Sequence, residues 1–184
     1  TDAYQAFHGD KENEVSANMQ GKKTYIMENE HDDYERTFAK ANAGDTSAIE
    51  SLKKIVENDY YSSIIRATAL WHIAQFQRGQ DDPILISSLK DKEPLLRYTS
   101  AQVLTPRLNK STKRQYLLPL IQDSIKAVRM IAFQGLANVN QNNIAKDKQP
   151  VYEEVKQEYE EYIYRNGDFP SGQMRIAQYL EKKN

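Results

Sequence analysis

Histidines beside carboxylates are the residues of this chain that could ligate a metal ion or transfer a proton. The chain has three histidines, and His31 is followed directly by Asp32 and Asp33. Adjacent residues at the start of a helix point in different directions, and no second histidine is placed to complete a site. Acids favoured by the positive end of a helix dipole explain this cluster better. His72 lies among apolar residues and is interpreted as a structural side chain, so no metal site is predicted.

Motifs for covalent or phosphate chemistry are also missing. The chain contains no cysteine, which excludes disulfides, thiolate metal sites, cysteine nucleophiles and haem attachment through Cys-x-x-Cys-His. No Ser or Thr stands in a nucleophile elbow, and no Gly-rich phosphate loop appears. The carboxylates of "VYEEVKQEYEEY" lie around most of a helix surface, as on a solvated face. We therefore predict no catalytic, cofactor-binding or metal-binding residues, and a protein that is not an enzyme.

One spacing repeats along the chain, and it separates an Asp from an Arg that can form an ion pair. Asp91 precedes Arg97 by six residues, and Asp123 precedes Arg129 by six. A carboxylate at the turn between two helices can accept backbone N–H groups and pair with an Arg one and a half turns into the second helix. Arg66 occupies the matching place in an earlier segment, with an Asp seven residues before it. We predict a structural ladder of these residues, with one Asp–Arg pair in each hairpin.

Helices must position this ladder. Only seven Gly and six Pro occur, and no alternating strand pattern of any length is present. Three helical hairpins are expected at about 46–78, 82–108 and 112–139. In each second helix a small residue follows the Arg by three positions, and an aliphatic residue follows it by seven. The small residues are Ala69, Ser100 and Ala132, and the aliphatic residues are Ile73, Leu104 and Leu136. Such hairpins cannot bury their apolar faces alone, so we predict an all-α chain that forms a short right-handed α-solenoid.

Length, charge and composition limit the remaining possibilities. The 184 residues allow one domain with an appendage, which we divide into a polar irregular arm (1–31), a repeat domain (32–140) and a capping helical pair (148–184). The net charge of −1 argues against nucleic-acid binding. No apolar run approaches the ~20 residues that cross a bilayer, so no membrane insertion is expected. The start on Thr1 suggests a mature protein or an excised fragment.

Two repeat families resemble parts of this sequence. The helices "IIRATALWHI", "LLRYTSAQVL" and "AVRMIAFQGL" resemble HEAT repeats in their short-period variety. The later "NGDFP", followed by an Ala-x-x-Leu pattern, resembles the junction between two tetratricopeptide helices. The first resemblance implies HEAT-like hairpins, and the second implies a tetratricopeptide-like pair at the C-terminal end.

The order of these segments is similar to the C-terminal region of bacterial periplasmic multihaem cytochrome c proteins. That resemblance implies a periplasmic redox setting, although a cytoplasmic location stays open. It does not carry over haem binding, because Cys-x-x-Cys-His is missing. A haem domain then lies on another part of the parent protein, or this relative has lost it. Non-covalent haem contact through His8 or His31 is a further alternative.

The second helices of a HEAT-like stack line its concave surface, where partners bind. The residues predicted to face outward there are Thr68, Trp71, Gln75, Thr99, Gln102 and Gln134. Burial of Trp71 against the first hairpin is the alternative reading. The leading hypothesis is a non-catalytic scaffold for protein–protein or interdomain interaction, whose partner is another protein or a missing domain of its parent. The alternative is a HEAT-like enzyme of the bilin-lyase or DNA-glycosylase type, which needs a tetrapyrrole pocket or a basic groove with aromatics.

Overall fold

The computed structural model describes residues 34–76 and 82–183, and the regular structure of these residues is helical throughout. Nine α-helices and three short 3-10 segments occur within the described ranges, which contain no strand. The all-α prediction is confirmed for this part of the chain. The helices belong to two compact units that divide between Leu52 and Lys53.

The first unit contains helix α1 (residues 34–42) and the beginning of helix α2 (Ile49–Glu57). Gly44 follows the end of α1 with a φ of +76°, a left-handed conformation that glycine adopts without Cβ strain. The side chain of Asp45 then accepts the Ser47 N–H at 2.9 Å and starts a 3-10 turn that leads into α2. The segment "NAGD" therefore ends α1 and leads into α2.

The second unit contains the remaining helices and the end of α2. They are α3 (Ser63–Phe76), α4 (Pro83–Ser88), α5 (Pro94–Leu104), α6 (Lys110–Leu117), α7 (Lys126–Leu136), α8 (Gln149–Arg165) and α9 (Pro170–Lys183). The Asp82 carboxylate caps α4, because it accepts the Ile84 N–H at 3.1 Å. Asn109 caps α6, because its side-chain oxygen accepts the N–H groups of Ser111 and Thr112 in the first turn.

Three helices pack in series through equivalent positions. Helix α3 contacts α5, α5 contacts α7, and α7 contacts α8. The small residues predicted at these crossings are fully buried: Ala69, Ser100 and Ala132. The aliphatic residues four positions later are fully buried as well: Ile73, Leu104 and Leu136. Small side chains allow the helix axes to approach, and the aliphatic residues fill the layer between them.

The first helices of the hairpins pack behind this series. Helix α4 contacts α5, and α6 contacts α7. The buried Ser100 hydroxyl donates to the Leu85 carbonyl of α4 at 2.8 Å, which satisfies a polar group inside the core. At Gly135 of α7 an added Cβ would overlap Leu117 Cδ1 of α6 and Thr105 Oγ1, so a larger residue there would force these side chains to shift.

Aromatic residues join α7 to the last two helices. The ring centroid of Phe133 lies 5.2 Å from that of Tyr152 and 5.3 Å from that of Tyr159. The Tyr159 ring in turn lies 5.4 Å from Tyr179 of α9. All four residues are buried, so α8 and α9 belong to the same core as the preceding hairpins. A tight turn connects the two helices, and a Cβ on Gly172 would overlap the Asn166 carbonyl there.

Candidate interaction groove

The ladder arginines pair with the next hairpin, which corrects the predicted pairing within each hairpin. Arg97 donates from Nε and Nη2 to the two carboxylate oxygens of Asp123, at 2.6 and 2.8 Å. Arg129 makes the same two-point contact with Glu158 of α8, at 3.0 and 2.7 Å. A bidentate Arg–carboxylate pair fixes orientation as well as distance. These contacts therefore hold successive hairpins in register.

The third guanidinium nitrogen of Arg97 explains why its carboxylate partner lies in the next hairpin. Arg97 Nη1 donates to the carbonyls of Asp91 and Lys92, at 2.8 and 3.0 Å. These backbone contacts, rather than the Asp91 carboxylate, hold the Arg against its own turn. The Asp91 carboxylate accepts the Glu93 N–H at 2.8 Å, which confirms its predicted role at the turn. The other edge of the Arg97 fork is left to face the next hairpin.

Arg66 departs from this pattern in the first hairpin. Its Nη2 donates to Asp91 of the next hairpin at 2.7 Å, as the ladder requires. Its Nη1, however, pairs with the carboxylate of Asp59 at 3.1 Å, and its Nε donates to the Val56 carbonyl at 2.7 Å. Asp59 precedes Arg66 by seven residues rather than six, and the Nη1 partner of Arg66 is the Asp59 carboxylate rather than a backbone carbonyl. Arg66 is thus the ladder arginine with two acidic partners among the described residues.

The hydrogen bonds of the ladder shift the pKa values of Arg97, Arg129 and Asp123. Hydrogen bonding to Asp123 raises the pKa of Arg97, and hydrogen bonding to Glu158 raises the pKa of Arg129. Burial raises the pKa of Asp123, but the hydrogen bonds from Arg97 and from the Ile125 N–H outweigh it and leave that pKa below its ordinary value. The hydrogen bonds of the Arg97–Asp123 and Arg129–Glu158 pairs therefore favour the charged forms of these groups.

A groove of about 810 Å³ lies between the second helices and the last helical pair. It is lined from α5, α7, α8 and α9 and from the loop after α5. The lining residues are Tyr98, Gln102, Thr105, Pro106, Lys126, Ala127, Met130, Ile131, Gln134, Tyr159, Tyr162, Ser171, Met174, Arg175 and Gln178. Its lining combines apolar and aromatic side chains with a few polar groups, as in many binding clefts.

Arg175 is held in this groove by an aromatic residue. Its Nη1 donates to the Tyr162 hydroxyl at 2.9 Å, and its guanidinium carbon lies 5.4 Å from the centre of the Tyr162 ring. Neighbouring Met174 is 65% exposed. A large exposed thioether beside an oriented cation is typical of a surface that contacts another molecule.

The predicted groove residues are only partly brought together. Gln102 and Gln134 line the groove, whereas Thr68, Trp71 and Gln75 are not among its lining residues. Thr99, which was expected to face outward, is buried and only 7% exposed. Its helical neighbours Leu96 and Val103 are both buried, so the turn of α5 carries Thr99 into the core.

Helix α3 presents an exposed apolar surface at the positions that line the groove in α7. Ile64 is 68% exposed and Trp71 is 48% exposed, so Trp71 is not buried against the first hairpin. Ala127 and Gln134 stand at the same distances from their own ladder arginine, and both line the groove. Ile64 and Trp71 therefore occupy the positions in α3 that correspond to the groove-lining positions of Ala127 and Gln134 in α7.

Sequence reasoning missed the contribution of α9 to this groove. Tyr162, Met174, Arg175 and Gln178 all line it. A signal for α9 was present, because Ser171, Met174, Arg175 and Gln178 follow the spacing of one helical face. The spacing alone does not show which neighbour this face of α9 meets, because a capping pair can pack on the preceding helices in more than one orientation.

Histidine and metal chemistry find no support in the described residues. No group of three or more His, Asp or Glu residues within them could hold a metal ion. His72 is buried, and its burial lowers the pKa of the imidazole. The arm 1–31, with His8 and His31, lies outside the described residues. No helix within the described ranges is both long and apolar enough to cross a membrane.

No protein-family model, curated protein or solved structure matches this chain. What the groove can bind therefore follows from its own side chains. Among the described residues, these side chains offer apolar contact area, two cations and glutamine amides without a hydrogen-bond partner.

Proposed function

We propose that this chain is a non-catalytic scaffold that binds a segment of a protein partner in the groove of α5, α7, α8 and α9. The observation that carries the proposal is the groove itself, with exposed Met174, Tyr162 held against Arg175, and amides from three helices. An exposed apolar surface with oriented polar groups marks interaction sites on soluble proteins.

The proposal includes the finer architecture, a short right-handed α-solenoid of HEAT-like hairpins closed by a tetratricopeptide-like pair. Serial packing of α3, α5 and α7 supports it, as do the matching two-point contacts of Arg97 and Arg129. In a solenoid each repeat contacts only its neighbours, and the stack presents one continuous surface to partners. Exposed Ile64 and Trp71 extend such a surface beyond the groove.

The proposed setting is a periplasmic redox assembly, on the strength of the resemblance to the C-terminal region of multihaem cytochrome c proteins. The partner segment then belongs either to a separate protein or to a haem domain of the same parent. Both are polypeptide segments, so one groove serves either arrangement. A tetrapyrrole is not part of the proposal, because none of the lining residues is a histidine or a cysteine.

Peptide display with a groove-filling variant tests this function. The variant is Ala127→Trp, because Ala127 is exposed and lines the groove, so an indole there occupies the groove without entering the core. The control is Ala145→Trp, an exposed alanine outside the lining. A randomised peptide library is selected on the wild-type chain, and the Kd of each recovered peptide is measured for all three proteins.

We expect peptides that bind Ala127→Trp about tenfold more weakly than wild type, a difference of about 1.4 kcal/mol, and that bind the control within about twofold. Recovered peptides that bind Ala127→Trp as tightly as wild type would overturn the groove as the site. Failure to enrich any peptide that distinguishes these proteins would overturn the proposed function.

A further inference from the structure

We infer that the groove takes an extended, acidic peptide segment whose carboxylates pair with Arg175 and Lys126 and whose backbone pairs with glutamine amides. This inference rests on the proposed function and names the chemistry of the partner. Three features of the groove support this inference: its lining charges are positive, its glutamine amides have no hydrogen-bond partner among the described residues, and its floor is apolar.

The charges that line the groove are all positive. Arg175 and Lys126 contribute two cations, and none of the described lining residues is Asp or Glu. Among the described residues Arg175 makes no ion pair, and its recorded partner is the neutral Tyr162 hydroxyl. The guanidinium carries five N–H donors in a fixed fork, so donors remain for a carboxylate.

Lys126 is only partly compensated by its acidic neighbour. Its Nζ lies 3.4 Å from Glu158 Oε1, and the same oxygen accepts a 2.7 Å hydrogen bond from Arg129. One carboxylate therefore serves two cations at this edge of the groove. A partner carboxylate would supply the missing negative charge, whereas a basic segment would meet repulsion from Lys126 and Arg175.

Glutamine amides from three helices offer unpaired donors and acceptors. Gln102 of α5, Gln134 of α7 and Gln178 of α9 all line the groove. None of the three side chains makes a hydrogen bond within the described part of the chain. Each amide can donate and accept, which matches the N–H and C=O groups of a peptide unit.

The free amides distinguish an extended partner from a helical one. A helix satisfies its backbone groups internally, whereas an extended segment presents them to its surroundings. Packed helices lie about 8–10 Å apart, and an extended chain rises about 3.3 Å per residue. Gln102 and Gln134 come from adjacent helices, so they can pair with peptide groups about three residues apart.

The floor of the groove takes apolar side chains. Met130 and Ile131 of α7 line it and are themselves largely buried, while Tyr98 of α5 adds an aromatic surface. Alternate side chains of an extended segment point to the same side. A segment that alternates apolar and acidic residues therefore contacts Met130 and Ile131 with one set of side chains and leaves the other set for the cations.

Fluorescence anisotropy with designed peptides tests the inference. The probe is a fluorescein-labelled peptide of alternating Glu and Val. Two labelled peptides serve for comparison: an equally long Lys–Val peptide and a stapled helical peptide of equal negative charge. We expect the Glu–Val probe to bind at least about tenfold more tightly than either, with affinity falling as salt rises.

Protein variants separate the contributions of the groove residues. Arg175→Gln and Lys126→Gln should each weaken the Glu–Val probe about fivefold to tenfold, and Arg175→Lys should restore part of the loss. The matched control is Arg165→Gln, which removes an exposed arginine that does not line the groove. Joint replacement of Gln102 and Gln134 by Ala should weaken the probe while leaving its salt dependence unchanged. Circular dichroism of each variant checks that it is folded.

Each outcome decides between the two proposals. Equal binding of the Lys–Val probe, tighter binding of the helical probe, or full affinity in Arg175→Gln and Lys126→Gln would overturn the inference. If display-selected peptides bind in the groove but the Glu–Val probe does not, the inference fails and the proposed function stands. If neither selected nor designed peptides bind, both fail.

Discussion

Replacing Asp123 by Ala should destabilise the second unit strongly, because it leaves a buried arginine without its carboxylate. In the folded chain the Arg97 side chain is 14% exposed and the Asp123 side chain is 7% exposed. Removing one partner of a buried ion pair costs about 3–5 kcal/mol. Arg97 keeps its two carbonyl acceptors, so we expect a cost at the lower end of this range, about 3 kcal/mol. Loss of the Asp123 contact to the Ile125 N–H adds about 1 kcal/mol, for a total of about 4 kcal/mol.

Three further variants test the physical reason for this cost. Asp123→Asn retains an oxygen that can accept the backbone N–H but loses the charge, so we expect about 2 kcal/mol. Asp91→Ala should also cost about 2 kcal/mol, because Arg66 retains Asp59 as a second acidic partner. Lys92→Ala is the control, since it removes an exposed ion pair and should change the free energy of unfolding by less than about 0.5 kcal/mol.

Urea unfolding followed by circular dichroism gives these free energies by linear extrapolation. The pKa of Asp123 in the folded chain lies below its ordinary value, so its contribution is present above the unfolded pKa of about 3.9 and is lost as pH falls through the folded pKa. The gap between wild type and Asp123→Asn should therefore close at strongly acidic pH. A cost for Asp123→Ala below about 1 kcal/mol, close to that of Lys92→Ala, would refute a structural ladder.

The other predictions concern a glycine and a histidine. Gly135→Ala should lower the free energy of unfolding by about 1–3 kcal/mol in the same urea titration, because the new Cβ overlaps Leu117 Cδ1. Helix propensity alone predicts a gain of about 1 kcal/mol, and such a gain would contradict the close crossing of α6 and α7. Burial lowers the pKa of His72, so the unfolded chain binds the proton more readily, and stability should fall as pH drops below about 6.5 towards the folded pKa. In thermal unfolding between pH 7.5 and 5.5, His72→Gln should remove the part of the stability loss that comes from His72. This part is about 1.4 kcal/mol for each unit by which the pKa of His72 is lowered. An unchanged pH dependence in the variant would show that His72 does not cause the loss.

Local periodicity predicted the helices and their buried positions well. Ala69, Ser100 and Ala132 are buried as their spacing from the ladder arginines indicates, because helical period alone decides which residues share a face. Thr99 is the exception among the residues expected to face outward. It lies at the edge of the buried stripe, where a small rotation of the helix decides between burial and exposure.

Partners across helices could not be predicted from spacing. The sequence places Asp91 close to Arg97 along the chain, but the direction of the guanidinium depends on which of its nitrogens the turn carbonyls occupy. The groove presented the same difficulty. Gln102 and Gln134 were identified from their register, whereas Arg175 belongs to the groove only because α9 lies across from α5 and α7. That arrangement depends on packing around Phe133 and Tyr159, which the linear sequence does not specify.

The position of Glu158 determines how such a chain can lengthen or shorten. Asp91 and Asp123 stand in turns, but the acid that completes the series stands within a long helix and occupies both free donors of Arg129. A hairpin inserted ahead of α8 must therefore bring one acid for Arg129 and one arginine for Glu158. Duplication or deletion of a whole segment from one turn acid to the next keeps every charge matched. A cut elsewhere leaves a partly buried charge without its partner, so charge pairing favours changes of length in complete hairpins.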